Sequence, residues 1–442
     1  MKVPLRRSLG IAALVFILYF NTSGGPFTTE TLVHEVGPGV ALLLIVLVPI
    51  IWSLPEVLII GELASMLPEE GGYYRWVQRA FGRFWAFQNG WLTWMYSLVD
   101  MALYPLLFTQ YLRYFFPHIP PATQWVVSLV VIWGATLVNL RGALQVGRAS
   151  ILAGAFIVGT FLLLAIASLP QATHAPWAPL QPSRDHHVPG LAVGLSIALW
   201  NYIGWDNAST IQGEVRDAGR AYPRALAFAL PLVTLGYLIP LLATLAGSDW
   251  HTWTEGGWPQ IARAAAGPLG PTLAVLTSIA GMLSALSLFN ALLLAYSRIP
   301  FVLATDRFLP AALGRTDERG TPRNAVLGAA VVYSVFVLIP FGQLLIADVL
   351  LYSFALMLEF GALVWLRKRE PELRGPFRIP VGRGGVIALA ALPLSVLGFV
   401  VYVSFRDGEY GFPALLGALL ASLLGIAAYY LARRMQRRAV SS

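Results

Sequence analysis

The chain contains no cysteine, only two lysines among its 30 cations, and few charged residues of any kind: 12% of 442 positions. Without cysteine, disulfides, thiol chemistry and thiolate metal sites are excluded. Charged residues make up about a quarter of an ordinary soluble domain, so half that share cannot cover a water-exposed surface in the usual way. There is no Walker A loop, no zinc-ligand spacing and no Ser/His/Asp set. ATP-driven transport and the common hydrolytic chemistries are therefore not encoded. The expectation is a protein that is not an enzyme and holds no cofactor or metal.

Hydrophobic residues fill 57% of the chain. Apolar runs long enough to cross a hydrocarbon core of ~30 Å recur throughout. Twelve are legible: 8–37 (broken), 39–66, 84–113, 121–140, 149–169, 189–213 (broken), 225–247, 268–297, 324–341, 343–366, 384–405 and 411–432. The first run follows Lys2, Arg6 and Arg7 like a signal peptide. It lacks a small-residue cleavage site and leads straight into further spans, so it reads as uncleaved.

The net charge of +8 could suggest nucleic acid, but the positions of the charges argue otherwise. If the N-terminus is cytoplasmic and each run crosses once, 26 of the 30 cations fall on the cytoplasmic side. Arg113, Arg184, Arg263 and Arg406 remain outside, with all six histidines, including His186 and His187. That asymmetry is the positive-inside bias of a multi-pass protein. The expectation is a protein of the cytoplasmic (plasma) membrane, both termini cytoplasmic, surrounded by lipid bilayer and binding no nucleic acid. Its partner is a small molecule; no protein partner can be read from the chain.

Two of the runs are interrupted at matching places. The first runs Gly10 to Asn21 and breaks at Ser23-Gly24-Gly25-Pro26-Phe27; the other runs Leu191 to Tyr202 and breaks at Gly204-Trp205-Asp206-Asn207. Non-helical backbone at membrane depth is tolerated only where it lines a cavity or is buried in protein. Paired breaks in two halves of a chain mark the substrate site of a secondary transporter. At the first, the Gly24 and Gly25 amides are candidates for a substrate carboxylate, with Pro26 opening the continuing half-helix. At the second, Tyr202, Gly204, Trp205 and Asp206 crowd together with Trp200, and freed carbonyls could coordinate a cation.

Six carboxylates read as lying at membrane depth within the spans, Glu56, Glu62, Asp100, Asp206, Asp348 and Glu359, with no Lys or Arg at that depth to pair with them. Intramembrane carboxylates of this kind bind a cation or carry a proton. Tyr96, Asp100 and Tyr104 are spaced i, i+4, i+8 and share one helical face, where two phenols and a carboxylate can bind an ammonium. Asp348, Tyr352 and Glu359 also share a face, which reads as packing. Ser278, Ser284 and Ser287 could ligate sodium, though serine there also reads as packing.

These residues resemble the amino acid–polyamine–organocation superfamily. The motifs are GELASMLPEEGGYYRWV (Gly61–Val77), GEVRDAGRAYPRAL (Gly213–Leu226) and ATDRFLPAALG (Ala304–Gly314). SGGPF (Ser23–Phe27), WSLPEVLIIGEL (Trp52–Leu63), VDMALYP (Val99–Pro105), LWNYIGWDNAS (Leu199–Ser209) and RKREPELRGPFRIP (Arg367–Pro380) look like its polyamine-uptake and L-type-like branch. The resemblance implies an all-α membrane fold of the LeuT type: inverted five-helix repeats at 8–169 and 189–366, and two added helices at 384–432. It also implies proton-coupled symport, or exchange, of amino acids or polyamines. The fifth span, 149–169, lacks the lysine that some members use as a proton-sensitive group. Proton coupling is then expected at Asp206, Asp100 or Glu56. Substrate contacts are expected from Ser23, Gly24, Gly25, Tyr96, Asp100, Tyr104, Tyr202, Gly204, Trp205 and Asp206. The reading leans to cationic substrates, with a neutral amino acid exchanger as alternative and a non-transporting sensor on the same fold as the alternative of another class.

Overall fold

The computed structural model describes residues 5–180, 188–337, 344–406 and 411–441; Lys2, Arg184, His186 and His187 lie outside them. Among the described residues the structure is helical, with one isolated bridge between Leu9 and Val215 and no strand. Helices pair their backbone polar groups internally, which an apolar surrounding requires.

Two half-helices come first, α1 (Ile11–Thr22) and α2 (Thr29–Val36). Then α3 (Pro38–Val48) passes through a π-helical turn at Pro49–Ser53 into α4 (Leu54–Met66). A short α5 (Gly72–Phe81) leads to the long α6 (Arg83–Leu112), α7 (Pro121–Asn139) and α8 (Ala143–Ser168). The second half opens with α9 (Val188–Trp200), a non-helical stretch and a 3₁₀ segment, Asn207–Glu214. It continues through α10 (Ala218–Leu245), α11 (Trp258–Ala265), α12 (Gly270–Tyr296), α13 (Arg298–Thr305), α14 (Arg323–Phe336), α15 (Leu344–Arg369), α16 (Arg383–Arg406) and α17 (Gly411–Ser441).

Among the described residues, eight helical segments are long and apolar enough to cross a membrane, and the molecule is a multi-pass membrane protein. The other four of the twelve runs are the two broken ones, α6 and the shorter α14. The first broken helix lies inside the bundle: Leu14, Ile17, Leu18 and Phe20 are fully buried, and α1 packs on α8, α10 and α12. By contrast, α16 and α17 present Leu392, Phe399, Leu419, Leu423 and Leu424 outward. Apolar faces of that extent suit acyl chains rather than water.

Candidate functional site

The first break is made by backbone geometry that glycine alone adopts easily. Gly24 and Gly25 have φ of +70° and +121°, where a side chain would strain the chain. Their amides are not free, contrary to the sequence reading. The Gly24 N–H donates to the Tyr19 carbonyl (3.1 Å) and the Gly25 N–H to the Ser23 hydroxyl (3.1 Å). Pro26 does not open the next half-helix either, since α2 begins at Thr29. Its carbonyl accepts instead from the Thr29 amide, the Thr29 hydroxyl and the Trp258 indole (2.8 Å). Ser284 donates to the Gly24 carbonyl (2.7 Å) and Ser278 to the Tyr111 carbonyl (2.7 Å), so both hydroxyls bind backbone as the packing reading expects.

At the second break most of the carbonyls that could have met a cation are also occupied. Tyr237 donates to the Asn201 carbonyl (2.7 Å) and Tyr222 to that of Trp205 (2.8 Å). The Gly204 and Asp206 carbonyls accept from the Asn207 and Ser209 amides. Tyr202 turns away and donates to the Ile45 carbonyl (2.8 Å). The two breaks meet directly. With its amide oriented to satisfy its neighbours, Asn21 donates to the Ile17 carbonyl (3.2 Å) and accepts from the Ala208 amide (3.1 Å). Asn201 donates to the Thr28 hydroxyl (3.0 Å).

Between the breaks lies a small cavity of about 20 Å³, room for about one water. Asn21, Thr22 and Ser23 line it from the first break, and Trp200, Ile203, Gly204 and Asn207 from the second. Tyr96, Asp100 and Tyr104 enter from α6, Leu288 and Tyr296 from α12, and Asp348 and Tyr352 from α15. Asp100 is buried and accepts from two phenols. One is Tyr104, four residues on; the other is Tyr296 on α12 (2.8 Å), not Tyr96 on its own helix. Tyr96 donates to the Asn207 side chain instead (2.9 Å). Asp348, which the sequence assigned to packing, faces the same cavity, and among the described residues nothing bonds its Oδ1.

Tyr352, on the same helix as Asp348, was likewise assigned to packing but joins the cavity to two further carboxylates. Its hydroxyl lies 2.5 Å from Glu56 Oε1 and 2.7 Å from Asp206 Oδ1, and accepts from the Gly204 amide (3.0 Å). Glu359 stands apart, accepting from Asn89 (3.3 Å).

Of the substrate contacts expected from sequence, the structure brings Ser23, Tyr96, Asp100, Tyr104 and Gly204 to the cavity. Gly24, Gly25, Tyr202, Trp205 and Asp206 are not among the residues that line it. The sequence reading missed Tyr296, whose partner sits on another helix, and Glu30, buried on α2 and accepting from Tyr111 (3.1 Å) and the Gly256 amide (3.0 Å). Glu30 was legible as a carboxylate on the continuation of the first broken run.

Buried bases do exist, contrary to the sequence reading, but not at the cavity. Arg367 forms a two-toothed ion pair with Glu62 (2.5 and 2.7 Å). Arg298, fully buried, pairs with Glu214 (2.5 Å) and lies 3.7 Å from Glu70. The Glu214 carbonyl in turn accepts from the Ser8 and Leu9 amides (2.9 and 3.0 Å).

Residues 9–422 match the amino acid permease family. The chain is similar to polyamine transporter PUT1 of Oryza sativa subsp. japonica, 34% identical over 90% of this chain and 74% of that protein. It is similar to polyamine transporter RMV1 of Arabidopsis thaliana, at 32% identity over 89% of this chain and 80% of the relative. A more distant similarity is to the aromatic amino acid transport protein AroP of Escherichia coli K12: 27% identity over 70% of this chain and 69% of that protein.

Proposed function

The chain belongs to the amino acid permease family, and from that premise we propose that it is a proton-coupled secondary transporter of cationic substrates, polyamines or basic amino acids. It works by alternating access in the cytoplasmic membrane with both termini inside. On this reading 8–169 and 189–366 are inverted repeats of a LeuT-type fold, 384–432 adds two helices, and the breaks are the hinge and the site.

The observation that carries the cationic reading is the pair Asp100 and Asp348 on one aromatic-walled cavity, with no base among the described residues to neutralise them. At an effective dielectric constant of ~20, a carboxylate and an ammonium ~4 Å apart attract by about 4 kcal/mol before desolvation. The occupied Gly24 and Gly25 amides point the same way, because a substrate carboxylate would find no ready donors there. The names of the plant relatives add support. The cavity has room for only about one water, so substrate enters when the breaks part, and the Arg298–Glu214 pair must open for release on its side.

Counterflow into proteoliposomes tests this, using labelled putrescine, spermidine, arginine, leucine and phenylalanine. Exchange of the cations supports the reading. Exchange of the neutral amino acids alone would replace it with a neutral exchanger, and binding without exchange would indicate a sensor.

A further inference from the structure

We propose that Glu56, Tyr352 and Asp206 form a single proton store, in which the Tyr352 hydroxyl bridges two carboxyl groups that share one proton. The inference rests on the transport reading above and assigns its coupling to named atoms.

Counting protons around one oxygen carries the argument. A phenol has one proton to donate and otherwise only accepts. Around Tyr352 Oη stand Glu56 Oε1 at 2.5 Å, Asp206 Oδ1 at 2.7 Å and the Gly204 N–H at 3.0 Å. The amide brings its own proton. Each of the two short oxygen–oxygen contacts also needs a proton between its atoms. The phenol supplies one, and the second must belong to a carboxyl. Were both carboxylates ionised, one contact would set two lone pairs face to face at hydrogen-bond distance. Buried polar groups are not left that way. The cluster in this conformation therefore holds one proton beyond the phenol's own.

That proton has two equivalent homes. Either Glu56 donates to Tyr352 and Tyr352 to Asp206, or the order is reversed. Turning the phenolic hydrogen and passing one carboxyl proton exchanges the two. All three side chains are buried, with exposures of 0, 2 and 1% for Glu56, Tyr352 and Asp206. Among the described residues no Lys, Arg or His pairs with either carboxyl. The titratable groups around them are Tyr73 of α5, Tyr96 of α6 with its ring 5.4 Å from that of Tyr352, and Tyr222 of α10. Glu359 lies two turns along α15, and Asp100, Asp348 and Tyr296 lie toward the cavity.

Tyr352 also lines the substrate cavity, and both Gly204 and Asp206 belong to the second break. Any movement that opens the break draws Asp206 and Gly204 away from Tyr352. The bridge is lost, and a carboxyl that no longer shares its proton releases it to water; when the cluster re-forms, a proton is taken from water on the facing side. Proton movement and opening of the substrate site are thus one event.

The test uses the full chain in proteoliposomes with the membrane potential clamped. With 1:1 coupling, an inward gradient of one pH unit drives accumulation toward roughly tenfold. Glu56→Gln keeps the side-chain shape at a residue outside the cavity lining and removes the shared proton. It should abolish accumulation above equilibrium while counterflow of the same substrate stays within roughly two- to threefold of wild type. Tyr352→Phe, which keeps the ring and removes the bridge but stands in the cavity lining, should also abolish accumulation, whatever its effect on counterflow. Infrared difference spectra between wild type and the Glu56→Gln/Asp206→Asn double variant at neutral pH should show one protonated-carboxyl carbonyl band in the wild type. Gradient-driven accumulation by Glu56→Gln or Tyr352→Phe equal to wild type, or absence of that band, overturns the proposal. Failure of counterflow in the wild type would sink the transport reading, and the infrared band would still decide the shared proton.

Discussion

The backbone at Gly204 is pressed against that of Asn21: a Cβ on Gly204 would come within 2.3 Å of the Asn21 carbonyl oxygen. Gly204 also has φ +102°, so glycine is required there twice over, for the turn of the chain and for the contact. The two broken helices thus meet backbone to backbone at their breaks.

Gly204→Ala should therefore be costly out of proportion to its size. Left-handed backbone alone costs about 1–2 kcal/mol for a residue with a side chain, and the clash forces the breaks apart in addition. The expected result is a lower melting temperature in detergent and loss of counterflow. A variant with wild-type melting and exchange would mean that the breaks do not need to touch.

Asp348→Asn and Asp100→Asn should each weaken cation uptake by tenfold or more, taking ~4 kcal/mol as the attraction before desolvation. Neutral amino acids should not be affected in the same way. Asp348 should matter more for binding, because Asp100 is already satisfied by Tyr104 and Tyr296 whereas, among the described residues, Asp348 Oδ1 has nothing bonded to it. Competition of putrescine against a labelled basic amino acid, measured in both variants, checks the order.

Glu62→Gln leaves Arg367 buried without its counter-charge, and breaking a buried pair from one side costs about 3–5 kcal/mol. Replacing both, with Arg367→Met, should recover part of that. Recovery should be incomplete, because Arg367 also donates to the Val381 and Ile379 carbonyls (2.6 and 3.1 Å). Thermal melting of the two single variants and the double variant measures the coupling between them.

Asp306 sits just beyond α13, where Tyr74 (2.7 Å), Arg75 (3.1 Å) and Gln78 (2.7 Å) of α5 converge on it. Burial alone pushes this carboxyl up, but the Tyr74 hydroxyl, the Arg75 charge and Gln78 outweigh it and hold it below the usual carboxylate range. A folded value below the unfolded one adds stability above the unfolded value, and that stability is lost as pH falls through the folded one. Asp306→Asn should lower stability at neutral pH by on the order of 1–3 kcal/mol. The gap to wild type should close only as pH drops below about 4. A gap that persists in acid would mean the contact does not depend on the charge.

How much of the site the sequence reveals depends on whether a signal is local. Both breaks were legible, because glycine acts on its own backbone: Gly24, Gly25 and Gly204 all take positive φ. That Tyr104 meets Asp100 was legible too, since residues four apart stack on one helix face. The same rule failed for Tyr96, because the second oxygen of Asp100 is taken by a phenol from α12. Nor could it tell whether the glycine amides at the first break were free. Tyr19, four and five residues upstream, accepts from Ser23 and Gly24, and Ser23 accepts from Gly25.

By itself the sequence determined that this chain is a set of apolar helices in a membrane, two of them broken. Those are properties of composition and of local backbone, and each is decided within about one span. Only the tertiary structure decided which carboxylates are neutralised and which are not. Glu62 finds Arg367 across 305 positions, Glu214 finds Arg298 across 84, and Tyr352 reaches Glu56 across 296 and Asp206 across 146. Periodicity states which residues share a face of one helix but not which other helix that face will meet. In a medium without water to solvate a charge, that meeting sets what each carboxylate can do.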